Sequence, residues 1–309
     1  MPGYVHQPVL VAEVLAAVQP RPGGRYADGT VGGGGHATAI LQASAPTGWL
    51  FGCDRDGDAL EAAAQRLAEF AGRFELRRGN YSELADWLEA GSCDGVLFDL
   101  GVSSPQIDRA GRGFSFQHDG PLDMRMDTRQ SLTAARLVNE SSAEELARMF
   151  RELGEEPEAR RLARVLVEER RFRRFEATRQ LAEFIERVAP RRGRRVHPAT
   201  RVFLALRMAV NDELGSLRRG LASALSVLKP GGRLAVITFH SVEDRAVKEF
   251  GREQSRSYAV AGDVDVPELR QPARPRLKWV PRKSIQPTPE EVATNPRARS
   301  AQLRIMEKL

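Results

Sequence analysis

A short apolar segment, Gly24–Asp28, runs into four consecutive glycines, Gly32–Gly35, and a helical pattern begins at Ala37, Ile40 and Leu41. Strand, glycine loop and helix in that order restrict the fold more than any other stretch of the chain. A loop without side chains lets a ligand come close to the backbone beside a helix N-terminus, as in nucleotide-binding α/β sheets. The alternation continues. Trp49–Cys53 reads as a second strand ending at Asp54, and Leu60, Ala63, Leu67 and Phe70 as a helix. Phe74–Arg77 reads as a weak third strand and Gly95–Leu100 as a fourth. Strands alternating with helices predict a parallel sheet with crossover helices.

The pattern breaks after Leu100. Gly101–Asp127, rich in Gly, Ser, Pro and Asp, reads as a long loop, and only helical patterns follow it. Ser142 and Glu145 form a capping box before Leu146, Met149 and Phe150. Leu162–Val167 and Leu181–Val188 mark two more helices, and one long helix is expected from about Pro198 to Leu228. Alternation returns at Leu228–Phe239, where Pro230-Gly231-Gly232 predicts a turn and Arg233–Phe239 a buried strand. Ala301–Ile305 supplies a last strand, and Pro267–Pro289 an extended excursion. The economical arrangement for 309 residues is one α/β domain, residues 1–104 and 212–309, interrupted by an inserted all-helical domain, residues 105–211.

The charge sits in that insertion. Lys and Arg exceed Asp and Glu by 47 to 41, a net +6. Arg151–Arg201 alone holds 15 Arg against nine Glu, with no Lys or Asp, so this segment carries the whole excess. A basic segment beside a neutral body suits a polyanion, most simply a nucleic acid; a solvated helix face of Glu–Arg pairs is the alternative. Cys53 and Cys93 are the only cysteines, which excludes a disulfide framework and a Cys-x-x-Cys metal site. No stretch approaches the roughly 18 apolar residues of a membrane span. Met1–Val18 has acidic Glu13 and no basic n-region to open a signal or transit peptide, so a cytoplasmic protein with no membrane partner is expected. The five histidines lack metal-ligand spacing, so no catalytic metal is expected.

Asp54 ends the next strand, about 20 residues beyond the glycine loop, where a carboxylate accepts hydrogen bonds from ribose hydroxyls. Glycine loop and acid together indicate an adenosine-type ligand. Asp28, just before the loop, suits a cationic amino group and opposes a pyrophosphate, and the run VGGGGHA is not a clean G-x-G-x-x-G. Both features favour S-adenosylmethionine over NAD. Asp99 ends the fourth strand, so Asp28, Asp54 and Asp99 should share the carboxyl edge of the sheet, where ligands bind in open α/β folds.

DGTVGGGGHA (Asp28–Ala37), DLGVSSPQ (Asp99–Gln106), RGFSFQHDGPLDMRMD (Arg112–Asp127), HPATRVFLALRMAVNDEL (His197–Leu214), FHSVEDR (Phe239–Arg245) and NPRARSAQLR (Asn295–Arg304) resemble, in order and nearly end to end, the bacterial RsmH or MraW family. The resemblance implies a class I S-adenosylmethionine-dependent methyltransferase sheet, Rossmann-like, with a helical insertion. It also implies methylation of the N4 amine of a cytidine in 16S ribosomal RNA, within the small ribosomal subunit. Carried over by motif, the cofactor contacts fall on Gly34, Gly35, His36, Asp54, Tyr81, Asp99 and Gln106, with Asp28 added from the charge reasoning. Asp99 is expected either to accept the amine proton, with Ser103 as helper, or to serve the cofactor alone. Phe114 and Phe116 could stack on the target base or fill the loop core. His197, Arg201, Asn211, His240 and Ser241 could line the cytidine pocket. The residues alone leave DNA, protein and a non-catalytic assembly role open; the resemblance selects RNA.

Overall fold

The computed structural model describes residues 8–189, 197–260 and 265–309. The chain separates into two compact units, Met1–Gly101 with Leu214–Leu309, and Val102–Glu213.

The first unit is built on β1 (Arg25–Asp28), β2 (Trp49–Asp54), β3 (Phe74–Arg78), β4 (Cys93–Asp99), β5 (Leu228–Thr238), β8 (Leu277–Trp279) and β9 (Gln302–Lys308). A small separate ladder joins β6 (Tyr258–Val260) to β7 (Arg270–Pro272). The large sheet has the order β3-β2-β1-β4-β5-β9-β8. Its first five strands are parallel, and β9 runs antiparallel between β5 and β8. This is the mainly parallel sheet with crossover helices that the alternation of strands and helices predicts. Parallel strands require crossovers, and the helices Gly35–Ala43 and Gly57–Arg66 supply them after β1 and β2. Alternate residues divide between the faces. Leu50, Leu97, Ala235 and Ile237 enter one core, while Phe51, Val96, Phe98, Leu234 and Val236 enter the other. Burial on both faces is why these strands read as unbroken apolar runs. β1 lies between β2 and β4, so the chain reverses direction across the sheet there. That switch point is where an open α/β sheet holds its ligand.

The unit beginning at Val102 contains the helices Ala134–Glu140, Ala143–Glu152, Ala159–Glu169, Thr178–Val188 and Ala199–Val210 around one core that includes Leu146, Phe150, Leu166, Leu181 and Leu206. Ser142 and Glu145 form the predicted capping box: Ser142 Oγ accepts from the Glu145 amide at 3.1 Å and the Glu145 carboxylate from the Ser142 amide at 2.7 Å.

Three features depart from the sequence reading. The long helix expected from Pro198 breaks at Asp212, whose φ of 45° is left-handed, and resumes as Glu213–Val227. Asn211 caps the break: the Arg207 carbonyl accepts from both its backbone amide and its side-chain amide. The Pro230-Gly231-Gly232 turn is absorbed into β5 as a register shift between the pairs Cys93–Leu228 and Gly95–Arg233. The Pro- and Arg-rich excursion contains β8, which completes the sheet edge. Among the described residues, no helix is long and apolar enough to cross a membrane.

Candidate active site

Asp28, Asp54 and Asp99 end β1, β2 and β4, three adjacent parallel strands, so their side chains emerge along one edge. The glycine loop follows Asp28 directly. Gly34 opens the helix Gly35–Ala43 with φ 80°, and a Cβ there would come within 3.3 Å of Ala63 Cα. Gly35 is held to glycine differently: a Cβ would lie 2.9 Å from the ring of Pro8, so this residue answers to packing. Two of the loop amides are satisfied internally, Gly32 N by Asp54 Oδ2 at 3.0 Å and Gly34 N by Val31 O at 2.8 Å. A phosphate cradle needs such amides free.

Thr30 ties two of the acids together. Its amide donates to Asp28 Oδ1 at 3.1 Å, and its hydroxyl oxygen accepts from the Asp99 amide at 2.6 Å. The second Asp99 oxygen, Oδ2, lies 3.5 Å from His36 Nε2, while Asp99 Oδ1 is buried without a hydrogen-bond partner among the described residues. Both ring nitrogens of His36 are likewise buried without a formed hydrogen bond.

The charges are perturbed accordingly. Asp28 is 1% exposed, and burial pushes its pKa up to about 7, with His36 opposing and Asp99 and Asp54 adding. Burial raises Asp54 to about 6, although the amides of Asp56 and Gly32 pull it down. For His36 burial opposes protonation, but Asp99 and Asp28 outweigh it and raise its pKa above the ordinary histidine value. Three carboxylates and one histidine thus form a pocket edge short of positive charge. Tyr81 follows β3 in a single turn capped by Asn80. Its ring lies 4.7 Å from that of Phe98, and a Cβ on Gly220 would collide with it, so its orientation is fixed.

At the end of β5, His240 caps the helix Ser241–Gln254. Its Nδ1 faces the Glu243 amide at 3.5 Å and its Nε2 lies 3.1 Å from the Glu243 carboxylate, while Ser241 is exposed.

In the helical unit, Gln106 is buried and its amide oxygen accepts from Ser103 N at 2.9 Å; the Ser103 hydroxyl is buried without a hydrogen-bond partner among the described residues. Phe114 and Phe116 are half-buried against the helical core. Phe116 lies 4.7 Å from the His197 ring and edge-on to Phe203 at 4.8 Å, and the Arg112 guanidinium lies over Phe114. These contacts put both rings in the loop core. His197 Nδ1 accepts from the Ala199 amide at 3.1 Å, at the first residue of the helix Ala199–Val210. Arg201 donates to Glu155 O at 3.0 Å. Asn211 is a staple: its Oδ1 accepts from Met126 N, and its Nδ2 donates to Met124 O and Arg207 O, each at 2.8 Å. Met124 has a left-handed φ of 63°, a strained conformation for a side chain of its size that Asn211 holds in place.

The model of the MraW methylase family matches residues 3–309. The chain belongs to that family. A relative from Syntrophotalea carbinolica, named ribosomal RNA small subunit methyltransferase H, is 50% identical over 312 residues, covering 99% of this chain and 98% of that protein. One of the same name from Symbiobacterium thermophilum is 52% identical over 311 residues, covering 99% and 97%. Among solved structures, a ribosomal RNA methylase from Streptococcus thermophilus is 12% identical with a TM-score of 0.42, covering 99% of this chain and 98% of that one.

The family's cofactor is S-adenosylmethionine, and the site fits it. A ligand carrying an ammonium and a sulfonium supplies positive charge beside Asp28 and Asp54, whose carboxyls burial pushes up to about 7 and about 6. Thr30 was not singled out from the sequence. The Asp-Gly-Thr spacing is the local signal for it, since a hydroxyl residue two positions after an Asp commonly closes a side-chain turn.

Proposed function

We propose that the protein transfers a methyl group from S-adenosylmethionine to the N4 amine of a cytidine in 16S ribosomal RNA, with the small ribosomal subunit in the cytoplasm as its substrate. Its full-length identity of about half to relatives named ribosomal RNA small subunit methyltransferase H carries this reading. The bound cofactor supplies a methyl group already activated on a sulfonium. Asp28 holds the ammonium end, Asp54 accepts from the ribose hydroxyls, and Tyr81 borders the adenine. Gly34, Gly35 and His36 shape the loop against which these groups rest, and Gln106 fixes the first turn beyond β4.

The N4 lone pair of cytosine is delocalised into the ring, so the amine is a weak nucleophile. Asp99 Oδ1 is the group available to accept a hydrogen bond from that amine, which concentrates electron density on nitrogen, and then to take its proton. The Ser103 hydroxyl, four residues along the chain, is the second acceptor. His240 and Ser241, on the same sheet edge as Asp99, are assigned to the cytidine side. His197, Asn211, Phe114 and Phe116 shape the substrate-binding unit by holding its long loop, and Arg201 by bracing the Glu155 turn.

The test offers tritiated-methyl S-adenosylmethionine together with small subunits, naked ribosomal RNA, plasmid DNA or protein extract, and identifies labelled nucleosides by mass. N4-methylcytidine from small subunits is expected. Label confined to DNA or protein would overturn the substrate assignment, and no label despite cofactor binding would favour a non-catalytic assembly role.

A further inference from the structure

Phe172 is 89% exposed, far more than any other large hydrophobic residue described. It lies in the connection between the helices Ala159–Glu169 and Thr178–Val188, in the sequence Arg170-Arg171-Phe172-Arg173-Arg174-Phe175. Its companion Phe175 is 1% exposed, packed 5.3 Å from Phe184, and anchors the connection to the core. Arg170 fixes it from the other side, donating to the carbonyls of Val138 and Ser141 at 2.7 Å each. The segment is therefore pinned at both ends, yet it presents an aromatic ring to solvent, which hydrophobic burial alone would not select.

Between Arg170 and Arg179 five arginines face one glutamate. The side chains of Arg171, Arg173 and Arg179 make no hydrogen bond or ion pair among the described residues, whereas Arg161 and Arg187 are paired with Glu158 and Glu169. Arg173 and Arg179 also border a groove of about 300 Å³ whose wall carries Asp119, Glu169 and Glu183, so the phosphate contacts belong to the connection itself and not to the groove. A solvent-facing aromatic flanked by unpaired guanidinium groups is the combination that binds single-stranded nucleic acid: the ring stacks on a base of any sequence and the arginines take the neighbouring phosphates. An uncharged apolar partner would leave the arginines without counter-charge.

We propose that the Arg170–Arg179 connection docks an unpaired stretch of RNA, with Phe172 stacked on one base and Arg171, Arg173 and Arg179 holding the adjoining phosphates. This rests on the reading of the protein as a ribosomal RNA methyltransferase, and makes the patch a substrate contact of the helical unit formed by residues other than those assigned to methyl transfer. The direct test is binding of a short fluorescein-labelled oligouridylate to the full-length protein by anisotropy. Phe172→Ala should weaken binding about tenfold, Phe172→Trp should preserve it, and Phe172→Leu should behave like alanine, because stacking requires a π-face. Arg171→Gln with Arg173→Gln should lower the slope of log affinity against log salt by about 1.4, roughly 0.7 per phosphate lost from a single strand. Unchanged affinity in Phe172→Ala, or full retention by Phe172→Leu, overturns the proposal. Methyl transfer by the wild type to small subunits is measured in parallel. Its absence with Phe172-dependent oligonucleotide binding intact would sink the substrate reading and leave the docking patch standing.

Discussion

Replacing Asp28 with Asn should make the ligand-free protein more stable and functionally worse. Asp28 is buried and its carboxyl titrates at about 7, against an ordinary 3.8. The folded state therefore holds this proton more tightly than the unfolded chain. Its contribution to stability is fully present below 3.8 and is lost as pH rises through about 7. A separation of about three pH units at 1.36 kcal/mol each corresponds to roughly 4 kcal/mol withdrawn by pH 8, of which about 2–3 kcal/mol falls between pH 5 and pH 8. An asparagine cannot ionise, and its side-chain oxygen can still accept from the Thr30 amide as Asp28 Oδ1 does. Urea unfolding of both proteins at pH 5 and pH 8 should show the Asp28→Asn variant ahead, with an advantage that widens with pH. S-adenosylmethionine should reverse the order at pH 8, because only the carboxylate attracts the ligand's ammonium group, and the wild type alone gains the stabilisation that binding confers. Wild-type affinity for the cofactor should fall as pH drops below about 7 for the same reason. An advantage that stays constant between pH 5 and pH 8, or a variant that binds cofactor as tightly as the wild type, would refute this account of the acidic edge.

Asp99→Asn should lower turnover at least about a hundredfold, the scale of a lost general base, while cofactor affinity by calorimetry stays within a few-fold; a parallel loss of affinity would remove the catalytic role and leave a cofactor ligand. Gly34→Ala places a side chain at φ 80° and 3.3 Å from Ala63 Cα, so it should cost about 1–2 kcal/mol in thermal unfolding and weaken cofactor binding. Asn211→Ala strips partners from Met126 N and Met124 O and should destabilise the protein by about 1–3 kcal/mol, with the 109–133 loop becoming the first segment cut in limited proteolysis.

Much of the sheet unit was legible before any coordinates. Strands buried on both faces write themselves as short apolar runs, and each of the three ending in Asp could be placed because the run stops at the charge. The capping box at Ser142 and Glu145 was readable for a similar reason, since both hydrogen bonds close within four residues. Readings that depended on distant partners fared less evenly. Asp212 ends a helix that the apolar periodicity carries straight through, because a left-handed residue and its stapling side chain leave the period on either side undisturbed. Phe114 and Phe116 read from the sequence as either base-stacking or loop-core residues, and no periodicity announces that the rings of Phe116 and His197 meet 4.7 Å apart across some 80 residues of chain. Residue types and their periodicity determined the parallel sheet, the glycine loop and the row of strand-end acids, since each depends on neighbours within a few positions. Only the tertiary structure decided that Asp28 holds its proton to about 7, that Thr30 links Asp28 to Asp99, and that one Asp99 oxygen is left without a partner. Those properties depend on how completely the rest of the chain removes water from the three acids, and burial belongs to the whole fold.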